Sequence, residues 1–311
     1  MTRLSNETAG VHQGNNIHSS PRPSGKGPSL DRPQTADAGL QQVEIIIPIY
    51  NQVDYTKQCL ASLYKNSPAT TRVTVIDNGS SDGTGAYLAG VPGLNMIRND
   101  KNRGCAAAWN QGVQASVSNW ILFLNNDVLL TPRWMEGLIS AAVENGLDIA
   151  SPAMREGPLN YKLEEYARQF VSSTSGAARP GVAHGVCFLV RRRVFDAVGL
   201  FDENFRFGQF EDKDFFYRAR EAGFALGATG RSFVHHFGSV TQDYVRRKLP
   251  LEAYEEWNRE YYRSKWSQTW SRRCLSRWKM KAMVAWWRTW ELQRCGHSLA
   301  ERWRRDGLTY E

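Results

Sequence analysis

The stretch WILFLNNDVLL, residues 120–130, decides how the rest of the chain is read. Five consecutive apolar or aromatic residues, Trp120 to Leu124, are the pattern of a strand covered on both faces. The run stops at Asn125, Asn126 and Asp127, and apolarity resumes at Val128. Buried without partners, three such side chains would cost roughly 1–3 kcal/mol each. The strand therefore ends where something uses them.

Working outward, strand-like and helix-like segments alternate from residue 43, the signature of parallel βαβ units. VEIIIPIY (43–50) reads as a buried strand, and DYTKQCLASLYKN (54–66) places Tyr55, Cys59, Leu60 and Leu63 on one helical face. RVTVIDNGSSDGT (72–84) is a strand running into a glycine-containing loop, LNMIRN (94–99) a third strand, and GCAAAWNQGVQAS (104–116) a helix of small residues. A further helix is expected from about Pro132 to Asn145. Ligands of such sheets bind at the carboxyl ends of the strands. Three of these ends are polar: Tyr50 and Asn51, then Asp77, Asn78 and Gly79, then Asn125, Asn126 and Asp127.

The chemistry open to these clusters is specific. Asp77 before a Gly-Ser-Ser-Asp-Gly loop can accept hydrogen bonds from a base or ribose while loop amides approach a phosphate; a plain surface turn is the alternative. No GxGxxG and no GxxxxGK[ST] occurs, which removes the common dinucleotide and P-loop readings. Asp127 beside two amides offers hard oxygen ligands for Mg²⁺ or Mn²⁺, or else caps a turn. In FRFGQFEDKDFFYRAREAGF (205–224), Glu211, Asp212 and Asp214 crowd the first turn of a helix that starts near Glu211. Capping accounts for one of them; an adjacent pair at a helix start can also present a general base. SFVHHFGS (232–239) ends a strand with His235 and His236, of which only one can face a site.

Taken in order, IIIPIYNQ, VIDNGSSDGT, NRGCAAAWNQG, FLNNDV, GQFEDKDFFYRA and HHFGS resemble the inverting family 2 glycosyltransferases of the GT-A fold, in particular a bacterial rhamnosyltransferase-like branch. The resemblance covers about residues 43–240. It implies an α/β fold with a mostly parallel central sheet flanked by helices. It also implies nucleoside diphosphate contacts at Pro48, Tyr50, Asn51 and Asp77, a donor-side loop at Arg103 and Gly104, and further pocket positions at Asn125, Asn126, His184 and Gly185. Asp127 matches the metal-binding member of the family's Asp-x-Asp motif. Asn125 stands where that motif has its first Asp, and an amide carbonyl is a weaker cation ligand than a carboxylate. His235 is favoured over His236 as a second ligand. Asp212 matches the catalytic base, with Glu211 as its partner. The implied reaction is a single displacement by an acceptor hydroxyl on a UDP- or dTDP-sugar, with Mg²⁺ or Mn²⁺ as cofactor. The implied acceptor is a glycan, lipid-linked or protein acceptor in bacterial surface-glycan synthesis.

Composition sets the frame. Residues 1–41 are polar and rich in Ser, Gly, Pro, Asn and Gln, and are expected to be disordered. Residues 42–245 form the expected catalytic domain and 246–311 a helical extension. With no span of roughly 18 apolar residues and no signal-like segment, a cytoplasmic location is expected, peripheral at the inner membrane if the extension binds lipid. The five cysteines are widely spaced, with no CxxC pair. Residues 246–311 hold 16 Lys and Arg against 8 Asp and Glu, the whole of the net charge of +8, and eight of the eleven tryptophans. Trp266, Trp270, Cys274, Trp278, Ala282, Trp286 and Trp290 are spaced by four, in one long helix or in two with a break. Two readings of this segment stand: docking on an anionic membrane surface, or packing on the domain or a second subunit. Nothing points to nucleic acid, and the oligomeric state is open. The competing functions are a sugar nucleotidyltransferase, which would show a glycine-rich basic loop after the first strand, and an adaptor with a degenerate catalytic domain.

Overall fold

Helices cover both faces of the strand that begins at Val43, which is why Ile45, Ile46 and Ile47 are all fully buried. The computed structural model describes residues 43–238, 240–248, 254–266, 270–305 and 307–311; the segment 1–41, expected to be disordered, lies outside them. The elements begin β1 (Val43–Ile49), α1 (Val53–Asn66), β2 (Arg72–Asp77), α2 (Thr84–Ala89), β3 (Asn95–Arg98), α3 (Cys105–Ala115) and β4 (Trp120–Leu124). They continue with β5 (Val128–Leu130), α4 (Trp134–Glu144), β6 (Ile149–Glu156), α5 (Leu163–Thr174), β7 (Ala178–Pro180), β8 (Cys187–Arg191), α6 (Arg192–Val198), α7 (Glu211–Glu221) and β9 (Leu226–His236). The last part holds α8 (Val240–Lys248), α9 (Tyr254–Lys265), α10 (Trp270–Cys295), β10 (Ala300–Arg304) and β11 (Gly307–Tyr310).

Strands β3, β2, β1 and β4 lie side by side and parallel, as the βαβ reading requires. Alternation along β4 splits its side chains between two cores. Trp120, Leu122 and Leu124 join Cys59, Leu60 and Leu63 of α1 and Leu138 of α4. Ile121 and Phe123 join Ala108 and Trp109 of α3 and Phe215 of α7. A Cβ on Gly112 would come within 2.5 Å of Ile46, so glycine lets α3 close on β1.

Past the polar triplet, residues 128–130 do not continue β4; they form β5, which pairs antiparallel with β9. β8 runs antiparallel between β4 and β6, and β9 runs parallel to β6.

The segment after residue 245 is not helical to its end. β10 pairs parallel with β6 and β11 antiparallel with β10, so the chain terminus extends the same sheet, whose path runs β11-β10-β6-β8-β4-β1-β2-β3. The ladder from Trp270 to Trp290 falls on α10 alone, and Trp266 directly follows the last residue of α9. A buried ion pair ties α10 to β7: both Glu291 oxygens take a guanidinium N–H of Arg179 at 2.8 Å. The pair is 3 % and 1 % exposed, and Glu291 also accepts from Leu299 N–H and Ser298 Oγ. Every described residue belongs to one compact unit. Among the described residues, no helix is long and apolar enough to cross a membrane.

Candidate active site

A cleft of about 460 Å³ opens at the carboxyl ends of β1 and β4. Pro48 and Tyr50 enter it from β1, Asn78 from the loop after β2, and Asn125, Asn126 and Asp127 from the triplet. The triplet is divided in its duties. Asn126 Nδ2 donates to Thr56 Oγ1 (3.0 Å), fixing the turn to α1. Asn125 N–H donates to the Val186 carbonyl (2.9 Å), which ties the end of β4 to the chain entering β8. Asp127 is 5 % exposed, and its Oδ2 lies 3.3 Å from His236 Nε2 and 3.4 Å from Val240 N.

Asp127 is the head of a charge chain. The other nitrogen of His236, Nδ1, is 3.2 Å from Glu156 Oε2, and Arg302 Nε from β10 is 2.9 Å from Glu156 Oε1. Burial alone would lower the His236 pKa, but the Asp127 carboxylate, then Glu156, raise it to about 10. For Asp127 burial acts upward, and His236 outweighs it so that the carboxyl falls below its ordinary range. His235, favoured from sequence, faces the other way. The pairing of β5 with β9 sets His236 opposite Val128 and His235 opposite Leu129, and alternation then sends the His235 ring to Tyr161, whose hydroxyl is 2.9 Å from Nδ1. Burial, then the His236 charge, push His235 down to about 4. It is not a cleft residue.

With the His236 proton displaced, Asp127 and His236 suit a divalent ion in donor chemistry: a hard carboxylate with an imidazole whose far nitrogen meets a second carboxylate, the usual support for a metal-binding histidine. Among the described residues no group of three His, Cys, Asp or Glu is placed to hold an ion. Bound there, an ion would need other oxygens, of which diphosphate and water are the natural sources.

Across the cleft, α7 starts at Glu211, and the residues before it are held in an uncommon conformation. Phe207, Gln209 and Phe210 have φ of 56°, 79° and 76°, each costing on the order of 1–3 kcal/mol unless the surroundings enforce it. The enforcing group is Asn258 of α9, fully buried. Its Nδ2 donates to the carbonyls of Arg206, Gly208 and Gln209, and its Oδ1 accepts from Arg206 N–H. Cys105 N–H donates to the Phe207 carbonyl (3.0 Å).

The three carboxylates of α7 separate by environment. Asp214 is spent on structure, bonded to Arg218 (2.9 Å), Lys265 (2.8 Å) and Trp266 Nε1 (3.0 Å). Glu211 is buried with Oε2 unpartnered. Burial first, then the Asp212 charge, push Glu211 up to about 8. Asp212 is also raised, by burial, against the opposing Lys213. Its carboxylate lies against the backbone of Gly185, where a Cβ would overlap it. Glu211, Asp212 and Gly185 all line the cleft.

Five expected contacts stand behind the lining. Asn51 and Asp77 are fully buried and organise the loop after β2: Ser80 N–H donates to Asp77 Oδ1 (2.9 Å) and Ser81 N–H to Asn51 Oδ1 (2.7 Å). Arg98 Nη1 is 3.4 Å from Asp77 Oδ2. Arg103 N–H and the Gly104 carbonyl both bond the Asn78 amide, at 3.0 and 3.1 Å. His184 N–H donates to Ser151 Oγ (3.1 Å), and burial lowers its ring to about 4. Sequence reasoning missed Glu156, Cys105 and Trp109. It also missed the wall made by Thr241, Gln242 and Val245 of α8, Tyr254 of α9 and Arg302. Asn78 carried a signal, as the strand-end neighbour of Asp77; Glu156 and Arg302 carried none.

Residues 44–199 match the family described as Glycosyl transferase family 2. The chain is similar to the glycosyltransferase AglE of Haloferax volcanii, 26 % identical over 195 residues covering 59 % of this chain and 63 % of that protein. It is also similar to the succinoglycan biosynthesis protein ExoO of Rhizobium meliloti, 31 % identical over 110 residues covering 35 % of this chain and 32 % of that protein. It spans less than two thirds of the length of either. Two solved structures share the fold. One is GalNAc-T7 with UDP, GalNAc and Mn²⁺, with a TM-score of 0.51 and 16 % identity over 63 % of this chain and 43 % of that one. The other is the mannosyltransferase PcManGT from Pyrobaculum calidifontis in complex with GDP-Man and Mn²⁺, at 0.50 and 17 % over 70 % and 59 %. The mixed α/β architecture is that of the GT-A glycosyltransferases.

Proposed function

Because the chain belongs to glycosyl transferase family 2, we propose that it moves a sugar from a UDP- or dTDP-linked donor to an acceptor hydroxyl with inversion at the anomeric carbon. The observation that carries this reading is the placement of two unlike carboxylate groups in one cleft. Asp212, with raised pKa, lies against Gly185 on one side; Asp127, with lowered pKa and bound to His236, lies on the other.

Asp212 takes the proton of the acceptor hydroxyl as the oxygen attacks the anomeric carbon. The bond from that carbon to the diphosphate oxygen breaks, and its electron pair leaves with the nucleotide. Glu211, held neutral by burial and by the neighbouring charge, leaves Asp212 as the ionised member of the pair. Asp127 and His236 would hold Mg²⁺ or Mn²⁺, which supplies neutralisation of the leaving diphosphate. Glu156 and Arg302 hold the His236 ring in place. Pro48, Tyr50 and Asn78 form the end of the cleft suited to the nucleotide, with Asn51 and Asp77 shaping the loop behind it.

An acceptor in surface-glycan synthesis, whether glycan, lipid-linked or protein, agrees with the resemblance read from sequence and with the name of the relative ExoO. Calorimetric titration of the full chain with a panel of nucleotide sugars, in Mn²⁺, Mg²⁺ and chelator, tests the reading. It expects metal-dependent binding of at least one UDP- or dTDP-sugar; a panel without binding would sink it.

A further inference from the structure

Helix α10 packs on the domain through one side of its carboxyl half, where Trp287 (4 % exposed) and Glu291 (1 %) are buried. At 100° per residue, Leu275, Trp278, Ala282 and Trp286 fall within an arc of about 80°, centred about 160° from Trp287 and Glu291. That arc faces solvent: Trp278 is 74 % exposed, Trp286 61 % and Leu275 57 %. Exposed Lys279 lies along one edge of the stripe, and exposed Lys281 and Arg288 along the other. Among the described residues, none of these three cations has a carboxylate within ion-pairing distance. From Trp270 to Trp290 the sequence contains six Lys and Arg and no Asp or Glu.

Large apolar rings left in water along one helix face mark a surface that something covers. Among the described residues the charges beside the stripe are all cationic, so the complementary partner is anionic. Indoles on a basic helix fit the headgroup layer of a bilayer, where the ring body is buried and the N–H stays wet. We propose that this face of α10 docks the protein on an anionic lipid surface, with Trp278 and Trp286 among the headgroups and Lys279, Lys281 and Arg288 against their phosphates. The helix lies on the bilayer and does not cross it. None of these residues lines the cleft, so the docking face and the transferase reading stand or fall separately.

The test is flotation of the full chain with phosphatidylcholine vesicles, with and without phosphatidylglycerol, at low and high salt. Binding is expected on the anionic vesicles alone and weakens with salt. Replacing Lys279, Lys281 and Arg288 together by Gln is expected to lower partitioning about 100-fold, from roughly fivefold for each charge at such a surface. Trp278→Ser with Trp286→Ser also lowers it. Both variants keep the wild-type melting temperature, since the positions are exposed. Absence of binding to anionic vesicles at low salt overturns the proposal, as does binding that neither variant weakens. Self-association abolished by the tryptophan pair, without vesicle binding, would assign the face to a second copy and equally overturn it.

Discussion

Glu211 and Asp212 are consecutive carboxylates whose difference lies in their surroundings. Glu211 has a pKa raised from 4.5 to about 8, so the folded state favours its protonated form. That contribution to stability is fully present below about pH 4.5 and is lost as pH rises to about 8. Buried His184 and His235, held near 4, oppose this trend up to about pH 6.5, so the melting temperature of the ligand-free protein should fall between about pH 6.5 and 8, and Glu211→Gln, which cannot titrate, should flatten the fall. Equal slopes would remove Glu211 as its source. Asp127→Ala should weaken nucleoside diphosphate binding strongly in Mn²⁺ and little in chelator, because the effect runs through the ion; equal weakening in both would give Asp127 another role. The cleft position of these three residues was legible in the sequence because it follows from their place at the end of a local element, a strand end for Asp127 and a helix start for the pair, although their contacts are distant. The choice between His235 and His236 was not. It depends on the register of β5 against β9, which joins residues more than 100 positions apart, and no local pattern fixes that register.

Among the elements, β1 and β4 could be read directly, since strands covered on both faces show as apolar runs, and β2 by its β-branched residues before a glycine-containing loop. The segment before α7 could not. Phe207, Gln209 and Phe210 have no sequence mark of positive φ, and their conformation is imposed by Asn258 from α9. Asn258→Ala should let this segment relax and shift Asp212. The expected result is a fall in kcat of roughly 10- to 100-fold, on the scale of a misplacement near 1 Å. Donor affinity measured by calorimetry should change little, because the Asp127 side of the cleft is untouched. An unchanged kcat would mean that the segment holds its shape without the amide.

On the scale of the whole molecule, the chain returns to its site. Arg302 reaches Glu156 across 146 positions, and β10 adds to β6. The sequence marked residues 246–311 as different in charge and aromatic content but gave no sign of this pairing, because β10 is short, half polar and follows a long helix. The packing and docking readings of that segment are both compatible with the molecule, on opposite sides of α10. Glu291→Ala should leave Arg179 charged and buried, lowering stability by about 3–5 kcal/mol, measurable by denaturant unfolding; a loss below about 1 kcal/mol would show that the terminal segment is not part of the cooperative unit. Inverting transfer with Asp212 as base is read by following donor turnover by proton NMR in wild type and Asp212→Asn. With an α-linked donor that binds, the first product is expected to carry the β configuration, and the variant to turn over about 10²- to 10⁴-fold more slowly with donor binding intact. A first product of retained configuration, or a variant as fast as wild type, would contradict it.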